Sequence, residues 1–119
     1  MQVSVLLPAR NASATVRAAV ESMLSQTLPP DEIILVDDAS TDGTAGALPA
    51  SPLIKIVQGE GRGLVAALNL GLRSCRGDVI ARMDADDVSH PERLRLQLEL
   101  LASNPKLGAA GSLVECESM

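Results

Sequence analysis

Short apolar runs separated by helical segments constrain the fold of this chain more than any other feature. The runs are rich in Val, Ile and Leu and cover residues 3–7, 33–36, 54–57 and 79–83. The first two runs are short, β-branched and largely apolar, which is typical of buried parallel strands. Strands that alternate with helices favour right-handed βαβ units. The pattern therefore predicts an α/β fold with a mostly parallel sheet of about four to five strands and helices on both faces.

The segments between the runs have helical spacing. Apolar residues recur at intervals of three and four between Ser13 and Pro29, which predicts an amphipathic helix there. After the third run, a second helix is predicted with a buried edge that includes Leu64, Leu68 and Leu72.

Residues 94–101 fit both periodicities, because their leucines alternate as in a strand and also share a helical face. Ser89, Pro91 and Glu92 have the spacing of a capping box with proline in the first turn, so a helix is predicted. Residues 108–115 are predicted to form a fifth strand.

The composition describes one soluble globular domain, residues 1–119, with 46% apolar residues and a net charge of −5. No basic stripe is present to neutralise phosphates, so nucleic acid is not an expected partner. The sequence shows no charged leader followed by an apolar run and no stretch of membrane-spanning length. The expected location is therefore cytoplasmic.

Two details of composition restrict the chemistry. Cys75 and Cys116 lack metal-ligand spacing and are predicted to be reduced packing residues. The chain has no Phe, Tyr or Trp, so its core must be aliphatic and no aromatic ring is available to stack on a base. A bound nucleotide would need another group to cover its base.

An acidic segment, Asp84-Ala85-Asp86-Asp87, follows the fourth run. Carboxylates held close together repel one another unless a cation lies among them. In extended backbone, Asp84 and Asp86 would leave the same face of the strand, an arrangement suited to Mg²⁺ or Mn²⁺. The alternative interpretation is that these residues precede a helix and face the positive end of its dipole.

Polar residues collect where three of the predicted strands end. The segments are Pro8-Ala9-Arg10-Asn11 after the first strand, Asp37-Asp38-Ala39-Ser40 after the second and Asp84-Ala85-Asp86 after the fourth. Helix capping explains part of this pattern. It does not require acidic pairs on two separate strands. Because ligands of open α/β sheets bind outside the carboxyl ends of the strands, a pocket for a nucleotide and a metal is favoured.

Other signals are weaker. The glycine-rich residues 59–63 lack the spacing and the lysine of a phosphate-binding loop, so they are interpreted as a flexible connection from which Arg62 can reach a phosphate. His90 is predicted to face solvent rather than to bind a ligand. Arg82 is predicted to pair with a nearby carboxylate, and Arg93 to lie on the solvent side of its helix.

Several motifs together resemble the opening of family 2 glycosyltransferases. They are residues 3–11 (VSVLLPARN), 25–29 (SQTLP), 33–44 (IILVDDASTDGT), 63–71 (GLVAALNLG) and 81–87 (ARMDADD). The motifs occur in the family's order over nearly the whole chain. The resemblance implies a Rossmann-like GT-A core whose N-terminal half binds a nucleotide-diphosphate sugar, most readily a UDP-sugar, within a glycosyltransferase of the hexosyltransferase type.

The resemblance also implies roles for individual residues. Pro8 to Arg10 would line the base pocket, Asp37 and Asp38 would accept a hydrogen bond from the base or ribose, and Asp86 would bind the metal. The full set of predicted nucleotide-sugar-binding residues is Pro8, Ala9, Arg10, Asn11, Asp37, Asp38, Arg62, Asn69, Asp84, Ala85 and Asp86, with Asp84 and Asp86 as ligands of Mg²⁺ or Mn²⁺. A bound dication would stabilise the charge that develops on the diphosphate leaving group.

The sequence departs from the family pattern in two respects. Members often carry an aromatic residue at the position of Arg10, whose planar guanidinium can lie over a base or point to a phosphate. Members also usually run well past this length, so we expect a truncated chain, inactive alone, with the acceptor site and catalytic base beyond Met119. An exposed sheet edge near Leu113 and Val114 would then favour self-association.

Two other functions stay open. A phosphoacceptor receiver domain has this length and an acidic Mg²⁺ pocket, but it needs an acidic pair after the first strand and a lysine after the fifth. Here the first strand ends at Pro8, and the only lysines are Lys55 and Lys106. The second alternative is a catalytically silent module that binds nucleotide sugars. The acceptor is not identified by the sequence.

Overall fold

The computed structural model describes residues 1–104, which form a sheet with helices on both faces. The strands are β1 (Val3–Ala9), β2 (Glu32–Asp37), β3 (Ile54–Gln58) and β4 (Val79–Arg82). The helices are α1 (Val16–Leu24), α2 (Leu64–Ser74) and α3 (Arg93–Ser103), and a short 3-10 helix (Thr44–Ala47) follows β2. The predicted α/β class is confirmed. The predicted fifth strand lies outside the described residues.

The sheet is entirely parallel and has the order β3-β2-β1-β4. Ala9 lies opposite Asp37 at the carboxyl end of β1, and Leu6 lies opposite Arg82 on the other side. The strand order reverses between β1 and β4, and open α/β sheets bind ligands in the crevice at such a reversal.

The strand order also separates this chain from receiver domains. Receivers have the flavodoxin-like order, in which the third strand lies beside the first. Here β4 occupies that position and β3 lies at the far edge, beside β2. The topology therefore excludes the receiver alternative.

Alternate residues of β1 enter the cores on opposite sides of the sheet. Val5 and Leu7 belong to the larger core with residues of α1 and with Leu94 of α3. Leu6 belongs to the smaller core, together with Ala67 of α2. The two cores place α1 and α3 on one face and α2 on the other, as the alternation of side chains along a strand requires.

The buried edge of α2 differs from the predicted one. Leu64 and Leu72 are 51% and 46% exposed. Only the third predicted leucine, Leu68, packs against the smaller core. The buried residues of α2 are Ala67 and Gly71. The prediction was wrong because it followed the largest apolar side chains, whereas small residues let the helix approach the sheet closely.

Helix α3 begins at Arg93 rather than directly after Ser89, so the predicted capping box does not form. A side chain distant in sequence takes its place. Gln26 Oε1 accepts a hydrogen bond from the Leu94 amide at 3.0 Å, and its Nε2 donates to the His90 carbonyl at 2.7 Å. The helical state was predicted correctly. Its start was not, because the capping group comes from Gln26, which follows α1.

A buried carboxylate fixes the amino end of the sheet. Glu32 accepts hydrogen bonds from the Ser4 hydroxyl at 2.6 Å, the Arg76 amide at 2.6 Å and Lys55 Nζ at 3.0 Å. Burial opposes ionisation of this group, but the three hydrogen bonds outweigh it and lower the pKa of Glu32 to about 2. This network lies at the end of the sheet opposite the polar loops.

None of the helices within residues 1–104 has both the length and the apolar character needed to cross a lipid bilayer.

Candidate functional site

The connections after β1 and β2 are joined by hydrogen bonds. Residues 10–15 are termed loop 1 and residues 38–43 loop 2. The Asn11 amide donates to Ser40 Oγ at 3.0 Å, and Asn11 Oδ1 accepts from the Thr41 amide at 2.8 Å. Asn11 has φ of +49°, in the left-handed region that asparagine tolerates better than most residues. The side chain of this predicted site residue is thus engaged with loop 2.

Asp42 and Thr44 form a second set of links. The Ala12 amide donates to Thr44 Oγ1 at 2.9 Å, and the Ser13 amide donates to Asp42 Oδ2 at 3.0 Å. Asp42 Oδ1 accepts from both the amide and the hydroxyl of Thr44, at 3.1 and 2.5 Å. Hydrogen bonds from Thr44 and then from Ser13 lower the pKa of Asp42 to about 2.

Sequence reasoning assigned Asp42 no role beyond a cap or turn and gave Thr44 none. A cluster of Ser, Thr and Asp after a strand, as in Ser40-Thr41-Asp42-Gly43, is a signal for side chains that bind nearby backbone amides. That signal indicates a local turn. It does not indicate that the turn reaches loop 1.

Both acidic residues at the end of β2 are buried. Asp37 Oδ1 accepts a hydrogen bond from the Ser40 amide at 3.1 Å, which shapes loop 2. Asp38 Oδ1 accepts from the Gly61 amide at 2.8 Å. Within residues 1–104, Asp38 Oδ2 makes no hydrogen bond, which leaves it as an acceptor for a ligand.

The other predicted residues of the first strand end lie where β1 meets loop 1. Pro8 and Ala9 are buried and form the last positions of β1, opposite Val36 and Asp37. Arg10 is exposed. The strand end therefore supplies a backbone wall with the exposed Arg10 guanidinium at its rim.

A cleft of about 360 Å³ lies beside Asp38. It contains three of the predicted site residues, namely Asp38, Arg62 and Asn69, and its other polar walls include Arg73 of α2. Arg62 pairs with Glu60 at 3.2 Å, and both side chains are more than two-thirds exposed. Ion pairs exposed to this extent contribute little energy, so the Arg62 guanidinium is free to move to an anionic ligand.

The glycines between β3 and α2 permit close contact with Asp38. A Cβ atom at Gly59 would lie 2.7 Å from Asp38 Oδ1, and Gly61 has φ of +74°. The segment interpreted from the sequence as a flexible connection is therefore packed against loop 2 at this point.

The acidic segment after β4 forms a turn. The prediction placed Asp84 and Asp86 in extended backbone. In the structure β4 ends at Arg82, and the Asp87 amide donates to the Asp84 carbonyl at 3.2 Å, so these residues form a turn instead. The turn nevertheless brings the side chains together. One carboxylate oxygen from each of Asp84, Asp86 and Asp87 lies within 4.8 Å of the others, and all three residues are exposed. These residues are termed the acidic cluster.

Ala85 differs from its neighbours because it is buried and belongs to the larger core. Its side chain therefore anchors the turn to the sheet while the flanking carboxylates stay in solvent.

Two arginines flank the acidic cluster. Arg82 Nη2 lies 3.4 Å from Asp84 Oδ1, as the sequence predicted. Arg93 is half-buried and not on the solvent side of α3, which corrects the prediction for this residue. Its Nη2 donates to the Arg82 carbonyl at 2.9 Å and its Nη1 to Ser89 Oγ at 3.1 Å. Burial lowers the pKa of Arg93, and the charge of Asp87 opposes that shift. Arg93 thus ties together the two ends of the segment that carries the cluster.

The donor set of the acidic cluster fits a hard divalent cation. It consists of carboxylate oxygens from Asp84, Asp86 and Asp87. Such ligands suit Mg²⁺ or Mn²⁺, which keep several positions for water and phosphate oxygens. The cluster follows β4 and loop 1 follows β1, so the two flank the reversal of strand order.

Comparison of the sequence with known protein families identifies the family to which the chain belongs. The family model described as "Glycosyl transferase family 2" matches residues 4–119. The chain belongs to glycosyl transferase family 2.

Relatives in this family are longer than the chain. The amylovoran biosynthesis glycosyltransferase AmsE of Erwinia amylovora is 37% identical over 100 residues, which cover 80% of this chain and 38% of AmsE. Chondroitin synthase of Escherichia coli is 35% identical over 101 residues, which cover 82% of this chain and 15% of the synthase. The chain thus spans less than half the length of these relatives.

Solved structures share the fold. S. aureus TarS (residues 1–349), in complex with UDP-GlcNAc, has a TM-score of 0.76 and 25% identity, over 88% of this chain and 32% of that one. The mannosyltransferase PcManGT from Pyrobaculum calidifontis, in complex with GDP-Man and Mn²⁺, has a TM-score of 0.76 and 29% identity, over 85% and 32%. The predicted Rossmann-like GT-A core is therefore confirmed.

Proposed function

We propose that this chain binds a nucleotide-diphosphate sugar together with a divalent cation, as the donor-binding part of a glycosyltransferase. The observation that carries the proposal is the convergence of three carboxylates, from Asp84, Asp86 and Asp87, beside the reversal of strand order. Related structures support it, because TarS was solved with UDP-GlcNAc and PcManGT with GDP-Man and Mn²⁺.

In this proposal the base and ribose lie near the ends of β1 and β2. Asp38 is buried and its Oδ2 is the available acceptor, so it receives a hydrogen bond from the base or ribose. Pro8 and Ala9 form the wall of the site. Arg10 is exposed at its rim and, because the chain has no aromatic residue, supplies the planar group that covers the base.

The diphosphate lies towards the acidic cluster. Asp84 and Asp86 would hold Mg²⁺ or Mn²⁺, which when bound offsets the negative charge that accumulates on the leaving diphosphate. Arg62 and Asn69 line the cleft beside Asp38 and are placed to contact the phosphates or the ribose.

We further propose that residues 1–119 form one donor-binding unit of a longer protein. Its acceptor site and catalytic base then belong to parts that this chain does not contain, so the isolated chain binds the donor without transferring the sugar. The length of the relatives supports this division, since the matched region covers 38% of AmsE.

Calorimetry with UDP and GDP as probes tests the proposal. We expect UDP to bind in the presence of Mn²⁺ and to lose at least about tenfold in affinity when Mn²⁺ is removed with EDTA. Asp86→Asn should reproduce that loss. The matched control is Glu21→Gln, which removes a carboxylate paired with Arg17 at 2.9 Å on α1 and should leave binding unchanged. Equal affinity with and without Mn²⁺ would contradict the role of the cation. Failure of both nucleotides to bind would contradict the function.

A further inference from the structure

We propose that Asp42 is a positioning residue that holds loop 1 in its binding conformation before the nucleotide arrives. The inference rests on the proposed function. The inference extends that function by assigning a role to a residue that need not touch the ligand.

The first observation is that loop 1 is held through consecutive backbone amides. The amides of Asn11, Ala12 and Ser13 each donate to a side chain that follows β2, at distances of 3.0, 2.9 and 3.0 Å. Side chains satisfy these donors where a helix or a ladder would otherwise do so. The conformation of loop 1 therefore depends on loop 2 and on the start of the 3-10 helix.

The second observation is that Asp42 determines which way the Thr44 hydroxyl points. A hydroxyl has one hydrogen to donate and can accept with its lone pairs. Asp42 Oδ1 takes the hydrogen of Thr44 Oγ1, so the lone pairs of that oxygen are available to the Ala12 amide. Asp42 thus acts on loop 1 directly through Ser13 and indirectly through Thr44.

The third observation is that an ionised carboxylate is needed for all of these contacts. Asp42 accepts from the Ser13 amide with one oxygen and from the Thr44 amide and hydroxyl with the other. An asparagine has only one acceptor oxygen, so its NH₂ group would oppose either the Ser13 amide or the Thr44 donors. Either orientation breaks one side of the network.

The fourth observation is that loop 1 contains a residue in the left-handed region next to Arg10. Asn11 has φ of +49°, a conformation that few non-glycine residues adopt, and its hydrogen bonds to Ser40 and Thr41 stabilise it here. The network fixes residues 11–13 and thereby the backbone that carries Arg10. A loop ordered during folding does not have to be ordered during binding, and this preorganisation increases affinity.

The experiment compares three variants of the 119-residue chain with the unchanged protein. Asp42→Asn and Thr44→Val break the network, whereas Thr44→Ser retains the hydroxyl. The matched control is Asp78→Asn, because Asp78 Oδ2 also accepts a backbone amide, that of Gln2 at 2.9 Å, at the other end of the sheet. The measurements are Kd for UDP with saturating Mn²⁺, Kd for Mn²⁺ alone, thermal unfolding, and hydrogen exchange of the Ala12 and Ser13 amides.

We expect Asp42→Asn and Thr44→Val to raise Kd for UDP about tenfold and to speed exchange of the loop 1 amides. Kd for Mn²⁺ alone should stay unchanged in both. Thr44→Ser and Asp78→Asn should bind UDP as the unchanged chain does, even if their Tm values fall.

Three outcomes would overturn the inference. If Asp42→Asn binds UDP as tightly as the unchanged chain does, the inference is wrong and the proposed function stands. Equal losses of UDP affinity in Asp42→Asn and Asp78→Asn would show a general structural effect. Absence of UDP binding by the unchanged chain would overturn the proposed function and this inference with it.

Discussion

Asp38 Oδ1 and the Gly61 amide are joined by a hydrogen bond of 2.8 Å, which fastens the end of β2 to the connection before α2. This contact fixes one carboxylate oxygen of Asp38 and leaves the other for a ligand. The contact also requires the backbone of residues 59–61 to lie close to Asp38, and glycine allows such an approach.

Gly59→Ala should displace Asp38 and weaken nucleotide binding. The added Cβ would lie 2.7 Å from Asp38 Oδ1 and 3.1 Å from its Cα, so the backbone on one side must move. We expect Kd for UDP with Mn²⁺ to rise at least about tenfold and the free energy of unfolding to fall by about 1 to 3 kcal/mol. Gly46→Ala is the matched control, since nothing lies within 4 Å of its added Cβ. Equal UDP affinity in the two variants would show that the position of Asp38 does not matter for binding.

Gly71→Ala should destabilise the protein although alanine is the better helix former. The helix propensity gain is at most about 1 kcal/mol. Against it, the added Cβ would lie 2.3 Å from Leu6 Cδ1 and 2.7 Å from Val36 Cγ2, and overpacking of this kind costs about 1 to 3 kcal/mol. We expect a net loss of about 1 kcal/mol in chemical denaturation. The chain has no aromatic residue for fluorescence, so circular dichroism is the suitable probe. A stabilised variant would show that α2 does not pack as closely as described.

Glu32 should make the protein sensitive to acid. Its pKa in the folded state, about 2, lies below the ordinary value of 4.5, so its contribution to stability is complete above pH 4.5 and is lost as the pH falls towards 2. Glu32→Gln should lower the free energy of unfolding at pH 7 by about 2 kcal/mol. The difference between the variant and the unchanged protein should shrink as the pH falls through that range. A difference that is constant from pH 7 to pH 2 would refute this assignment.

Arg82→Gln should have opposite effects on the metal and on the nucleotide. Arg82 lies 3.4 Å from Asp84 and competes with a cation for that carboxylate, so its removal should tighten binding of Mn²⁺ alone about threefold. With Mn²⁺ saturating, loss of a cation next to the proposed position of the diphosphate should weaken UDP binding by a similar factor. Arg17→Gln, which breaks a comparable exposed pair on α1, is the control and should change neither. Parallel changes in both affinities would contradict a competing role for Arg82.

The sequence predicted the four described strands because each is a short apolar run, and the segments between the runs have helical spacing, which is typical of a parallel sheet. All the runs assigned within residues 1–104 are strands, with ends shifted by one or two residues. The helices were also found, and the locations of Asp38 and Asp84 at strand ends followed from the strands themselves.

Several of the errors share one cause, which is that the deciding partner is far away in sequence. The start of α3 is set by Gln26 rather than by the local capping motif, and the buried edge of α2 is set by the closeness of Leu6 to Gly71. Local periodicity contains no information about either partner. The links from Asp42 to loop 1 were missed for the same reason, because they depend on how β1 and β2 are aligned.

The central position of β1 has a consequence for biosynthesis. During translation β1 leaves the ribosome before either neighbouring strand, and its register with β4 pairs Val3 with Val79. Its seven residues, all buried in the finished fold, therefore have one unpaired edge until β4 has been made. A nascent chain of this kind is prone to aggregate, and we expect chaperones to bind it during that interval.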